Sequence, residues 1–337
     1  MSTIYIFISE VHQPAVPISV GCAAALMMPP RTVCAFVLAL TLSALVPVST
    51  TRHLTGDEQV ERDSFGWRKH VASGVGDVDL DGPCTVDRVD VRDFPTLHDF
   101  HERHRANGGL PVVVTGLFEG NGEFRTMCGK DALLRQWGDH PIVLSTANTH
   151  SYEKKTKSLS DYVEQHVSRP QDIATPGNET LYWFGDNDHK AWSTHFEKYH
   201  LPPLIPKDAD VALSFGVGGP NSGVPLHVHG PGFSETVIGR KRWWLAPPKP
   251  KPRFNPNATA LEWALNEKNK ETNSNSNPIN FLACTVSAGE AIYFPDGWWH
   301  LTLNLDDSVF MSSFVNYNWE QEEAKDTHVD LDDLFEL

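Results

Sequence analysis

The chain contains 337 residues, of which 40% are hydrophobic and 21% are charged. This composition is typical of a globular protein that is long enough to form one large domain or two small ones. The formal net charge is −15, and the basic residues are scattered along the chain. A charge of this sign argues against nucleic acid or an anionic membrane surface as the main partner.

The first segment of the chain has the layout of a secretory signal peptide. An uncharged apolar run at 33–48 follows Arg31 and precedes small polar residues. We therefore expect a signal peptide in residues 1–51, with translation starting at Met27 or Met28, because no basic residue lies upstream of them. The alternative is an uncleaved membrane anchor, for which the run is short. Both interpretations predict localisation to the secretory pathway, with no membrane contact beyond this segment.

The predicted folded domain spans residues 82–319 and follows a polar, glycine-containing stretch at 52–81, which we interpret as a flexible linker. The first helix of the domain begins near Pro95. It carries His101 and His104, which we interpret as part of a solvated face.

Periodic apolar residues between turn signals predict the other elements. Strands are expected at 111–115, 142–146, 181–184, 211–215, from the bend at 230–232 to 238, 241–245, 281–286, 291–294, 300–305 and 309–315. Helices are expected at 130–137, 159–167 and 260–265. The domain is therefore predicted to be mainly β with flanking helices, an α+β class. Residues 320–337 form an acidic tail that we expect to be disordered or to dock a partner.

The main functional signal joins two stretches that are distant in sequence. His227 and His229 are two residues apart, so on an extended strand both imidazoles leave the same face. A strand at 291–294 and a Pro-Asp-Gly turn place His300 at the start of the next strand. In a sheet rolled into a barrel the three imidazoles converge, and a borderline or transition metal would bind between them. The alternative is three unrelated core histidines.

Motifs in these stretches resemble the cupin superfamily. Its second signature motif is reproduced position by position, at Gly289, Pro295, Gly297, His300 and Asn304. Its first motif is approximate, at His227, His229 and Glu235. Within the superfamily the chain resembles jumonji-C (JmjC) proteins, through the segments 110–116, 239–243, 289–295, 298–300 and 315–317.

Three further segments, at 144–149, 184–187 and 227–232, are similar to a secretory-pathway member of the jumonji-C family. The resemblance covers residues 87–319. It implies a double-stranded β-helix, the cupin or jelly-roll barrel, and a fold that elsewhere uses Fe(II) and 2-oxoglutarate.

The resemblance also implies metal ligands. The family pattern is His-x-Asp or His-x-Glu with a distal histidine, which His227 and His300 match. His229 stands in the carboxylate position, so the site loses one negative charge and a hard oxygen donor. Glu235 is the candidate that would restore this charge. Three-histidine iron sites exist among cupins, so metal binding is still expected.

A co-substrate site is implied in the same way. Lys241 matches the lysine that pairs with the distal carboxylate of 2-oxoglutarate, although an exposed strand lysine is the alternative. Asn316 matches an asparagine of the metal-side pocket, or is simply a strand-end amide. Val224 stands where an assisting threonine is common, which leaves Ser222 or Tyr293 as substitutes. The missing threonine argues against 2-oxoglutarate binding.

The cysteines and sequons agree with an oxidising compartment. Loss of the signal peptide leaves Cys84, Cys128 and Cys284, so we expect one disulfide and one free or intermolecular thiol. We expect the pair Cys84–Cys128, because both precede the barrel strands, although sequence leaves the other pairings open. Glycosylation sequons begin at Asn178 and Asn257.

Two functions are consistent with these features. The first is a regulatory protein of the endoplasmic reticulum lumen that acts through protein partners, with weak or no classical oxygenase activity and a role in signalling or metabolism that the resemblance implies. The second is a Fe(II)- and 2-oxoglutarate-dependent protein hydroxylase. A cupin enzyme that uses a three-histidine metal without 2-oxoglutarate is a third interpretation. Histone demethylation is disfavoured by the signal peptide. Self-association is compatible with all of them.

Overall fold

The computed structural model describes residues 61–69, 80–117, 119–151, 153–169, 171, 174–270 and 279–317. The predicted signal peptide and the predicted acidic tail lie outside these residues. Among the helices that the structure describes, none combines the length and the apolar character needed to cross a lipid bilayer.

The described residues contain twelve strands, which are β1 (Asp87–Asp90), β2 (Val112–Thr115), β3 (Pro141–Thr146), β4 (Lys154–Ser158), β5 (Leu181–Phe184), β6 (Asp210–Gly218), β7 (Gly232–Ile238), β8 (Arg240–Ala246), β9 (Leu282–Ser287), β10 (Glu290–Phe294), β11 (Trp299–Asn304) and β12 (Ser308–Asn316). Nine of them form a sheet in the order β1-β2-β10-β7-β12-β6-β5-β3-β4, and the others form a smaller sheet in the order β11-β8-β9. β1 and β2 pair in parallel, whereas β10 pairs antiparallel with β7 and β12 with β6.

The helices of the described residues are short and lie mostly before β6. They are α1 (Leu97–Phe100), which continues as a π-helical turn (His101–Arg105) and a 3-10 turn (Ala106–Gly108), α2 (Gly122–Met127), α3 (Lys130–Trp137), α4 (Leu159–Tyr162), which continues as a π-helical turn (Val163–Val167), α5 (Ser193–Phe196) and α6 (Ala260–Lys270). Thr96 caps α1: its hydroxyl accepts a hydrogen bond from the Asp99 N–H at 3.1 Å, and the Asp99 carboxylate accepts one from the Thr96 N–H.

Apolar residues cover both faces of the larger sheet. On one face, Met311 of β12 and Phe215 of β6 belong to the cluster that contains Leu133 of α3. On the other face, Phe294 of β10 belongs to a cluster with Trp243 of β8 in the smaller sheet. The larger sheet is thus packed between helices and the smaller sheet. This arrangement confirms the predicted mainly β class with flanking helices.

The structure includes elements that the sequence does not predict. β4 has the sequence Lys-Lys-Thr-Lys-Ser and lacks the apolar alternation of a strand, because it is an edge strand with exposed lysines. β1, α2 and α5 are too short to show a period. His104, expected on a solvated face, is 6% exposed because its ring packs against Phe94 and Phe100.

Residues 61–69 lie within the predicted linker but are attached to the domain. Trp67 is fully buried, and its Nε1–H donates to the Cys128 carbonyl at 2.9 Å. The guanidinium of Arg68 pairs with the Asp307 carboxylate at 2.8 Å. The predicted flexibility therefore does not hold for this part of the linker, because one tryptophan and one arginine anchor it.

The disulfide joins Cys84 to Cys284. Cys84 lies beside β9 because the Thr85 N–H donates to the Ala283 carbonyl at 2.7 Å. Cys128 is a free, buried thiol at the end of α2, with its Sγ 3.7 Å from His195 Nε2. The predicted pair Cys84–Cys128 is therefore wrong, because order along the chain does not report which strand lies beside Cys84.

Candidate metal centre

His227 and His300 are placed side by side by backbone pairing. The segment that carries His227 is not the regular strand that its sequence predicts, but it pairs antiparallel with β11. Each of these two histidines donates its N–H to the carbonyl of the other at 2.9 Å. A Cβ at Gly223 would collide with the Thr302 carbonyl, so glycine permits this close approach.

His229 completes the cluster. Its carbonyl accepts a hydrogen bond from the Gly297 N–H at 3.1 Å, which ties it to the turn before β11. The ring centroids lie 4.2 Å apart for His227 and His300, 4.6 Å for His229 and His300, and 5.1 Å for His227 and His229. The nitrogens that face one another all lie within 4.8 Å. The structure thus brings the three predicted ligands together.

The hydrogen bonds of the three rings fix their tautomers. The Nδ1 atoms of His227, His229 and His300 lie 2.7, 2.8 and 2.9 Å from the carbonyl oxygens of Pro225, Gly230 and Trp298. A carbonyl can only accept, so each Nδ1 carries the proton and each Nε2 presents a lone pair. The Nε2 atoms of His229 and His300 are 3.1 Å apart. Two acceptors at this distance favour a cation between them.

Burial keeps the rings neutral. It lowers the pKa of His227 to about 3, lowers that of His229, and lowers that of His300 well below the usual value. Neutral imidazoles with free Nε2 lone pairs are the donors that divalent iron, zinc and copper take in proteins. The residues therefore fit a divalent metal, which would supply a Lewis-acid centre there. No carboxylate of the described residues belongs to the cluster.

Lys241 projects into the cavity beside the histidines. The cavity is partly open to solvent, and its lining includes Val224, Ser234, Lys241, Trp243, Phe294 and Phe310. Lys241 is 2% exposed, and its Nζ donates to the Tyr182 hydroxyl at 3.1 Å. Burial holds the pKa of this lysine well below its usual value. Among the described residues it forms no ion pair, so an anion would be its natural partner.

Comparison with known proteins agrees with this geometry. Residues 99–325 match the cupin-like domain family. The chain belongs to the cupin-like jumonji-C family. The resemblance inferred from the motifs is thus confirmed, and with it the jelly-roll fold.

Three jumonji-C relatives indicate where the chain lies within the family. It is 44% identical to mouse JmjC domain-containing protein 8 over 250 residues, which cover 74% of this chain and 89% of the relative. The human protein of the same name is 45% identical over the same shares. Human 2-oxoglutarate and iron-dependent oxygenase JMJD4 is 27% identical over 237 residues, covering 62% of this chain and 56% of that one. The family therefore includes proteins named as iron and 2-oxoglutarate oxygenases.

Polar residues that the sequence does not single out connect Lys241 to the histidine segment. Tyr182 of β5 places its hydroxyl within hydrogen-bonding distance of Lys241 Nζ and of Asn304 Nδ2, the latter at 3.4 Å. The Asn304 amide also donates to the Ser222 hydroxyl at 3.1 Å. Asn304 belongs to the cupin motif, so its position was a usable signal. Nothing in the sequence marks Tyr182, because only the fold brings β5 across from β8.

Glu235 is not a metal ligand. Its neighbour Ser234 faces the cavity, so the alternation of β7 turns Glu235 to the helix side of the larger sheet. There the carboxylate accepts a hydrogen bond from Asn121 Nδ2 at 3.0 Å, and it is 1% exposed. Burial raises the pKa of Glu235 to about 7, against the lowering effects of Tyr199, Arg125 and Asn121. The prediction that Glu235 restores the negative charge of the metal site is therefore wrong, because Glu235 lies on the face of β7 opposite to the cavity.

Two other predicted pocket residues lie elsewhere. Asn316 is exposed at the end of β12 and does not line the cavity. Tyr293 is buried against Phe100 in a separate cluster, on the opposite side of β10 from Phe294. Ser222 is connected to Lys241 through Asn304 and Tyr182, and it does not line the cavity. The hydroxyl beside Lys241 is thus that of Tyr182.

The two predicted glycosylation sites lie next to each other. Asn178 and Asn257 are both exposed. The Gly177 N–H donates to the Asn257 carbonyl at 3.1 Å, which joins the two loops. Both acceptor asparagines therefore occupy one patch of the surface.

Proposed function

We propose that the chain is a regulatory protein of the endoplasmic reticulum lumen that binds a divalent metal, Fe(II) among the candidates, through His227, His229 and His300. It acts through contacts with protein partners, in signalling or metabolic regulation, and turns over slowly or not at all as an oxygenase. The observation that carries this proposal is the imidazole of His229 in the carboxylate position, with its Nε2 3.1 Å from that of His300.

The charge of the donor set supports slow turnover. Three neutral imidazoles leave a divalent ion with its full charge, whereas a carboxylate would cancel half of it. The cavity walls are largely aromatic, so they add no negative charge that would offset it. Imidazole sites also favour zinc and copper over iron more strongly than sites with an oxygen donor do. Such a centre retains metal but is poorly suited to holding Fe(II) for repeated turnover.

Two covalent features support the secretory pathway. The Cys84–Cys284 disulfide requires an oxidising compartment, and cytosolic thiols are kept reduced. The sequon asparagines at 178 and 257 are exposed, as glycan acceptors must be.

The alternative function is a Fe(II)- and 2-oxoglutarate-dependent protein hydroxylase. Its supporting observation is Lys241, which is buried in the same cavity and forms no ion pair with the described residues. In that case the three histidines hold the metal, and Lys241 with Tyr182 binds and orients a carboxylate of the co-substrate.

Metal content and succinate release test the proposal. The secreted chain, loaded anaerobically with Fe(II), is expected to retain about one ion per chain. A His227→Ala, His300→Ala double variant should lose it, and His98→Ala, which changes an exposed histidine, should not. Succinate release from 2-oxoglutarate should stay at the rate of the double variant.

Two results would contradict this. Equal metal content in the parent and the double variant would show that His227 and His300 do not hold the metal. Metal-dependent succinate release well above the double variant supports the hydroxylase instead.

A further inference from the structure

Phe310 projects into the cavity from the middle of β12. Phe310, Ser312 and Phe314 alternate along the strand and all line the cavity, while Met311 between them packs on the helix side. Phe310 is 1% exposed. Its aromatic face therefore forms part of the cavity wall.

The ring of Phe310 lies directly against the ammonium group of Lys241. Lys241 Nζ is 3.3 Å from the ring centroid, which is a close cation–π contact in a desolvated site. A hydrogen bond to Tyr182 uses another direction of the same group. Lys241 is therefore enclosed between an aromatic face and a phenol hydroxyl.

The surrounding residues hold the ring in this place. The Tyr182 ring is stacked on the Phe310 ring, with centroids 6.1 Å apart and planes 12° from parallel. The centroid of the Phe184 ring lies 5.5 Å from that of Phe310. Behind it lies Gly216 of β6, where a Cβ would come within 2.5 Å of the ring. The absence of a side chain at Gly216 provides the space that the ring fills. Residues of four strands, β5, β6, β8 and β12, thus form this contact.

We infer that Phe310 restricts the access of a carboxylate to Lys241, by covering the ammonium group that a 2-oxoglutarate carboxylate would need. This inference rests on the proposed function, because it concerns the same cavity. The ring and the Tyr182 hydroxyl occupy two directions around Lys241 Nζ, so a carboxylate that pairs with it must compete with the ring. The intact chain is therefore expected to hold a metal while it binds a five-carbon dicarboxylate poorly. Removal of the ring opens the anion site without changing the metal ligands.

The test measures 2-oxoglutarate binding by calorimetry on the secreted chain loaded with Zn(II), which prevents turnover. The parent should bind with a Kd of millimolar order or weaker, and Phe310→Ala should bind at least tenfold more tightly. Phe310→Leu removes the aromatic face but keeps apolar bulk, and it should show a gain in the same direction. Lys241→Met in the Phe310→Ala background should abolish the gain.

The matched control is Phe233→Leu. Phe233 lies on β7 and is equally buried, at 1% exposed, but it packs against Phe100 and Tyr293, away from the cavity. It should leave dicarboxylate binding at the level of the parent, while melting temperatures compare the loss of stability in the two leucine variants.

Parallel metal analysis separates the two proposals. If the parent binds 2-oxoglutarate at micromolar Kd and neither Phe310 variant binds it more tightly, this inference is overturned while the metal centre stands. If the parent fails to hold a metal, the proposed function fails, and binding by the metal-free Phe310 variants still decides whether the ring covers Lys241.

Discussion

The side chain at position 229 decides which donor atoms the candidate metal centre offers. The backbone here is constrained at both ends, by pairing of His227 with His300 and by the hydrogen bond from Gly297 to His229. A substitution at this position therefore changes the donor atom without removing the scaffold. The imidazole itself is held by the Gly230 carbonyl, so the Nε2 lone pair points toward the other two rings.

Replacing His229 by aspartate should shift the metal preference toward Mn(II) and Fe(II). The carboxylate supplies a hard oxygen donor and one negative charge, and an attraction of this kind is expected to tighten Mn(II) binding by roughly tenfold or more. Competition titrations of Mn(II) against Zn(II) measure the change. His229→Asn is the matched control, because it has the same shape without the charge. Equal Mn(II) affinity in the Asp and Asn variants would rule out the electrostatic explanation.

β7 separates two polar sites that lie on opposite faces of the larger sheet. Ser234 faces the cavity, and Glu235 faces a buried group that contains Asn121, Arg125 and Tyr199. The carboxyl group is fully surrounded by protein, so folding favours its protonated form. The pKa of Glu235 is therefore raised to about 7 from an ordinary value of 4.5.

A Glu235→Gln variant should gain stability relative to the parent as pH rises. Because the folded pKa lies above the unfolded one, the protonated carboxyl stabilises the folded state fully below pH 4.5, and this contribution is lost as pH rises through about 7. The amide does not titrate. The difference in unfolding free energy should move by about 3 kcal/mol in favour of the variant between pH 4.5 and 8. Urea unfolding at both pH values measures it, and a difference that is constant with pH would contradict the buried, titrating carboxyl.

Sequence periodicity predicts the elements that carry a clear apolar pattern. α3 and β5 have the predicted bounds, and both show helical or strand periodicity in an apolar context. β4 is missed because its edge position leaves lysines exposed. The local pattern of apolar residues therefore indicates which segments are buried. It does not predict elements whose burial depends on residues that are distant in sequence.

Some residues of the candidate site can be predicted from the sequence, and others cannot. His227, His229 and His300 are readable because spacing and motif place them together. Glu235 is misassigned because the bend at 230–232 obscures which face of β7 it takes. Tyr182 and Phe310 are invisible to sequence analysis, since their proximity to Lys241 arises from packing between β5, β8 and β12.

At the scale of the whole molecule, one covalent bond joins the start of the domain to the smaller sheet. Cys84 and Cys284 are 200 residues apart in sequence. The bond fastens the segment before β1 to the edge strand β9, where the Thr85 N–H pairs with the Ala283 carbonyl. Closing so long a loop restricts the unfolded chain strongly.

Loss of this disulfide should lower the free energy of unfolding by about 3–5 kcal/mol. Cys84→Ser is the suitable change, because Cys84 is exposed and the serine hydroxyl stays hydrated. Its melting temperature should match that of the parent in reductant and should not fall further when reductant is added. Cys128→Ala is the control: it keeps the bond, so reductant should still destabilise it. Insensitivity of Cys128→Ala to reductant would instead support the pair Cys84–Cys128.

The adjacency of Asn178 and Asn257 affects which side of the domain is accessible to other proteins. Two glycans on one patch would sweep overlapping volumes and make that side of the domain sterically inaccessible to a protein surface. If both sites carry glycans, a partner or a second copy must approach another side of the domain. Removal of both sequons would then make this side of the domain accessible to a protein surface.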